Sequence, residues 1–302
     1  MLLHTNSAGM NAWHTAAFLG ILDIMQKIWE WAEEKLTTEE IKNEMLLRTN
    51  IAGTTAWHMA AYLGKLDIMQ KIWEFAEEKL TTQEIKNEML LSTDREGRTA
   101  WHWAACEGKL DVMQKIWEWA KEKLKRNEIL LATDKWGNNV WQVSAQKGKL
   151  DILHKIWEWA EENLTTEEIK NEMLLRTDDK GRTAWHWAAY WDKLDIMQKI
   201  WELAKEKLTT QEIYNKFLIA TDHKERTVWH VAANCNNLFV LENLCEWAKM
   251  LRITEELYNK LLLATDHKGR TVWQVVAERH TVEMSEKLRI SLRETNNRED
   301  NI

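Results

Sequence analysis

The stretch Asp94-Arg-Glu-Gly97-Arg-Thr99-Ala-Trp101-His102-Trp-Ala104-Ala105-Cys-Glu-Gly108 decides the fold. Asp-x-x-Gly is a hairpin-type turn signal. Thr99 is a residue that caps a helix by accepting a hydrogen bond from an otherwise orphaned backbone N–H. Gly108 follows a short run of helix formers, where a left-handed cap ends a helix. Turn, helix start and helix stop thus sit within fifteen residues.

The pattern recurs along the chain. Trp101 is one of seven tryptophans at a single phase, with Trp13, Trp57, Trp141, Trp185, Trp229 and Trp273, spaced 44, 44, 40, 44, 44 and 44 residues apart. The repeats run 1–44, 45–88, 89–128, 129–172, 173–216, 217–260 and 261–293, followed by a polar tail at 294–302. The third repeat is four residues short, close to one helical turn. The ten glycines occupy two phases, that of Gly97 and that of Gly108. Positions aligned with Thr99 hold Asn11, Thr55, Asn139, Thr183, Thr227 and Thr271, all of them N-capping residues.

A longer second helix follows each second glycine. In 22–36, Leu22, Met25, Trp29, Ala32 and Leu36 form an apolar stripe at helical spacing, which Ile24, Ile28 and Trp31 widen. Such a helix needs cover on more than one side. Thr37 and Glu40 then form a capping box that opens a third, short helix. The reading is an all-α repeat solenoid of helix-turn-helix units with hairpin-type turns and an extra short helix per unit.

The quoted stretch resembles the ankyrin signature, Asp-x-x-Gly-x-Thr-Pro-Leu-His-x-Ala-Ala-x-x-Gly, and the resemblance covers nearly the whole chain. Three departures stand out. Ala or Val replaces the family's Pro, Trp replaces its Leu, and the period is 44 rather than about 33. The longer period leaves room for the third helix. A HEAT-like helical stack is the competing architecture, and the turn glycines and the Thr-x-Trp-His-x-Ala-Ala run argue against it. The resemblance implies stacked L-shaped units, with turns and first helices lining a concave face. It also implies that the recurring His14, His58, His102, His186 and His230 hydrogen-bond backbone at the turns. Gln142 and Gln274 replace histidine in two repeats; glutamine mimics a neutral imidazole but neither titrates nor binds metal well.

Nothing in the sequence points to catalysis. His102 and Cys106 offer half a metal site, without the further ligands that zinc takes. Phosphate-loop, nucleophile-elbow and zincin motifs are absent. Most of the twenty tryptophans recur at fixed phases and read as core. The net charge of −7 comes from interleaved acids and bases, so neither nucleic acid nor a membrane surface is an expected partner. Three irregularly placed cysteines fit a reducing compartment, and the expected location is cytoplasmic. No cofactor or metal is expected.

The expected function is a non-enzymatic protein-interaction scaffold. Binding positions should be those that vary between otherwise similar repeats. By that criterion Phe18, Leu19, Ile51, Tyr62 and Leu63 form one apolar cluster on the concave face, and Trp136, Tyr190 and Trp191 a second; Glu107, Gln146, Lys147 and Asn234 hold equivalent positions elsewhere. The alternative is a C-terminal segment of a longer array, or an element that self-associates through an uncapped N-terminal end. In that reading Trp13, Ala16, Ala17, Met25 and Trp29 form the stacking face, while Ser285, Arg289 and Ser291 give the last repeat a polar, capping character.

Overall fold

The structure, a computed structural model, describes residues 2–125 and 127–279. The polar capping positions of the last repeat and the tail lie outside them. The described elements are helices, with only isolated bridges such as Thr221–Thr227 beside the turns. The chain divides into two compact units, 1–164 and 165–302, a boundary that falls within the repeat 129–172.

Each first helix begins and ends as its caps dictate. Thr55 Oγ1 accepts from the His58 N–H at the start of Ala56–Leu63, and Gly64 ends the helix at φ 71°. In the first compact unit the first helices Ala12–Leu19, Ala56–Leu63, Ala100–Glu107 and Val140–Lys147 pack side by side. Their paired alanines make the close approach possible: Ala16, Ala17, Ala60, Ala61, Ala104 and Ala105 are all buried.

The second helices carry the aromatic core. Leu66–Lys79 has Asp67 in its first turn and Lys79 in its last, both favourable to the helix dipole. Its Phe75 reaches back to stack on Trp29 of the preceding repeat, ring centroids 3.9 Å apart. Trp119 does the same on Trp73, at 4.7 Å, and Trp159 on Trp117, at 5.1 Å. The first of two ring positions on a second helix therefore faces forward and the second faces back. In the second compact unit Trp247 stacks on Trp201 by the same rule, at 5.5 Å.

The third helix is present, with a wider turn than an α-helix. Thr81 and Glu84 cap each other reciprocally at Thr82–Glu84, and the chain continues as a π-helical segment, Ile85–Leu90. Lys42–Leu46, Ile169–Leu174 and Tyr214–Leu218 repeat it. The i→i+5 bonds underwind the chain, so that Met89 and Leu90, four and five residues after Ile85, join it in the core. The short repeat has lost this feature: its third helix is Glu128–Leu131, an α-turn that still buries Ile129 and Leu130.

Successive turns form a ladder. The amide of Ile51 donates to Ala8 O at 3.1 Å, that of Arg95 to Ala52 O at 3.0 Å, and that of Lys135 to Glu96 O at 2.9 Å. Glycine permits this approach. A Cβ on Gly97, at φ +73°, would lie 2.5 Å from the backbone nitrogen of Lys135.

Candidate partner-binding face

Turns and first helices share one face, and the histidines lock it from within. Nε2 of His58 lies 3.1 Å from Ser92 O, so Nε2 carries the proton, because a carbonyl only accepts. Nδ1 then accepts from Thr55 Oγ1–H at 2.9 Å. The ring is a neutral peg between its own N-cap and the extended segment leading to the next turn. His186 repeats the arrangement, with Ala220 O at 3.3 Å. Gln142 takes the part of Nδ1 in its repeat, its Oε1 accepting from the Asn139 amide at 3.1 Å. Burial pushes His58, His102 and His186 down to about 4, since these sites hydrate a cation poorly. Burial also pushes the Cys245 thiol up to about 12. These groups are held in their neutral forms.

Of the eight side chains singled out by repeat-to-repeat variation, seven are exposed and Leu63 is half-buried. Phe18, Ile51 and Tyr62, at 46%, 56% and 38% exposure, edge a cleft of about 520 Å³. Leu19 is exposed at the end of its helix and is not part of the lining. Trp136 belongs to the first compact unit; Tyr190 and Trp191, ring centroids 5.1 Å apart, belong to the second.

The cleft contains residues the variation argument did not select. Met59 and Trp103 line it, and Trp103 meets Tyr62 edge to face at 5.0 Å. The Arg98 guanidinium lies on the Trp103 ring at 3.8 Å. Asp94, buried, accepts from Arg98 Nε and from Trp103 Nε1, both at 3.1 Å. The second compact unit repeats the stack, with Arg182 3.7 Å from the Trp187 ring. Sequence carried a signal for this pairing: the two repeats with Trp at this phase also carry Arg five residues earlier.

The expected N-terminal stacking face is corrected. Trp13, Ala16, Ala17, Met25 and Trp29 are at most 3% exposed. They face the second repeat: Trp13 and Trp29 pack on Phe75, at 6.0 and 3.9 Å. The outward side of the first repeat instead carries Ile24, 45% exposed where Ile68, Val112 and Ile152 are at most 2%, and the half-buried Trp31.

No family model matches the chain, and no curated protein matches it. Many solved structures do. The human ASB11 ankyrin repeat domain aligns over 93% of this chain and 98% of its own, with 15% identity and a TM-score of 0.57. At that identity the likeness concerns the fold, and it agrees with the glycine-turned, Thr-capped, alanine-packed helix pairs. With a tryptophan-rich core and a third helix added to each described helix pair, this is an ankyrin-repeat-like protein.

Proposed function

We propose that the chain is a non-enzymatic protein-interaction scaffold that binds its partner on the face of turns and first helices, the concave face of the fold it resembles. One observation carries this reading: large apolar side chains stand exposed around a cleft, at positions where other repeats carry polar residues. Surface of that kind is costly in water and is relieved by a partner. His58, with both ring nitrogens hydrogen-bonded inside the fold, and Cys245, fully buried, support a non-catalytic role. Among the described residues no helix is long and apolar enough to cross a membrane. The three irregularly placed cysteines accord with a cytoplasmic, reducing setting.

The test is affinity capture from extracts of the source cells, comparing the wild-type chain with Phe18→Asp/Ile51→Asp and with Glu74→Lys, an exposed change on a second helix. A protein retained by wild type and Glu74→Lys but lost from the double variant supports the reading. Retention by all three contradicts it.

A second reading rests on Ile24 and Trp31. Their counterparts in the next three repeats are covered by a preceding repeat, so this face fits another repeat of the same kind, supplied by chain or by copy. Light scattering across a concentration series checks the copy version. Association abolished by Ile24→Asp is its expected result, and a concentration-independent monomer rejects it.

A further inference from the structure

The cleft also restricts what the partner presents. Its walls and floor are apolar: Phe18, Ile51, Met59, Tyr62 and the Trp103 ring. Its volume of about 520 Å³ is ample for a large side chain together with the backbone that carries it. The far rim is the turn of the third repeat, where all the charges but one are already matched. The Asp94 carboxylate accepts from the amides of Glu96 and Arg98, at 2.8 and 2.9 Å, as well as from Arg98 Nε and Trp103 Nε1. Arg98 is held by that carboxylate and by the Trp103 ring. Glu96 pairs with Lys135 at 2.5 Å.

Arg95 is the exception. It is exposed and lines the cleft, and among the described residues its guanidinium has no ion pair. Its backbone is fixed by the turn ladder, so the charge stands at a defined place on the rim. The cleft thus offers an apolar hole beside one uncompensated positive charge, in a chain whose net charge is −7.

We propose that the cleft takes an aromatic or leucine-sized side chain from a partner segment that carries a carboxylate within two residues of it, seated on Arg95. This rests on the protein-binding role above and names the partner's chemistry. A basic residue at the same place meets Arg95 and finds no unmatched carboxylate on the rim.

The probe is a library of random dodecapeptides displayed on phage and selected on the full chain. The enriched family should contain a large apolar residue with Asp or Glu within two positions. A synthetic member, followed by fluorescence anisotropy, should bind Arg95→Glu about three- to tenfold more weakly than wild type, the scale of reversing one rim charge. Changing the peptide's acid to Lys should restore binding to Arg95→Glu and weaken it to wild type. Phe18→Asp should remove binding of both peptides. Circular dichroism confirms that both surface variants are folded. Enriched peptides that lack an acid, or that ignore Arg95→Glu while still losing affinity to Phe18→Asp, overturn this inference and leave the protein-binding reading standing. Peptides indifferent to both variants, or no enrichment at all, overturn the two together.

Discussion

His58, His102 and His186 show how one residue type ties stability to pH in this chain. Each is buried and neutral, with its pKa lowered from the usual 6.5 to about 4. Above pH 6.5 folded and unfolded chains are both neutral at these rings, and the rings add no pH dependence. Between 6.5 and 4 the unfolded chain takes up protons that the folded chain refuses, so stability falls as pH falls. Below 4 both states are charged and the loss levels off. The expected loss is on the order of 3 kcal/mol per ring across that window. Urea midpoints at pH 7.5, 6, 5 and 4.5 measure it. His58→Gln, the residue found at position 142, should flatten the curve while shifting the midpoint little at pH 7.5. A His58→Gln curve as steep as wild type would show that the ring is not the titrating group.

Glycine gives a second residue-scale contrast. Gly97 and Gly269 share the left-handed conformation, at φ +73° and +70°, but a Cβ on Gly269 meets nothing within 4 Å. Gly269→Ala should therefore cost only the backbone strain, about 1–2 kcal/mol. Gly97→Ala must also push the Lys135 backbone away and should cost about 2 kcal/mol more, read as a difference in urea midpoints. Equal midpoints would mean that the turn ladder yields freely.

At the scale of the element, the second helix works because its two rings face opposite neighbours. Trp119 fills the space beside Trp73 and is nearly buried, whereas Trp31, at the same phase of the first repeat, is half-exposed. Trp119→Ala should cost roughly 3–5 kcal/mol and Trp31→Ala less than about 1 kcal/mol. Thermal unfolding of the two variants separates them, and similar costs would contradict the forward-and-back pattern. The third helix depends more on its cap: Thr81→Ala should cost about 1 kcal/mol by removing a donor's partner in the capping box.

Periodicity made the three helices and their caps legible in the sequence, because caps and stripes are local. The π-turn was not legible: an apolar residue followed four and five positions later by others suits either helix, and packing on the next repeat decides. Nor does the stripe of Leu22–Lys35 say which edge faces forward: the sequence expectation puts Met25 and Trp29, with Trp13 of the first helix, on the open side, whereas Ile24 and Trp31 occupy it. Variation between repeats found Phe18, Ile51 and Tyr62. It passed over Trp103 and Arg95, whose part depends on one turn lying against the next helix.

Within each compact unit the described repeats are stabilised through their neighbours: rings stack from one repeat to the next, as Trp119 on Trp73 and Trp247 on Trp201, turn amides bond to the preceding turn, and in the first unit Lys42 reaches Glu84 at 2.9 Å. Partly exposed ion pairs of this kind add little stability individually and serve register more than energy. Packing between repeats inside each unit leaves the outer surface of turns and first helices free to vary, and variation there is where the binding reading begins. The most direct test of that reading is amide hydrogen exchange of the full chain, with and without its captured partner or a selected peptide. Slower exchange at 50–63 and 94–104, with the second helices unchanged, is the predicted result. Protection confined to the second and third helices would contradict it.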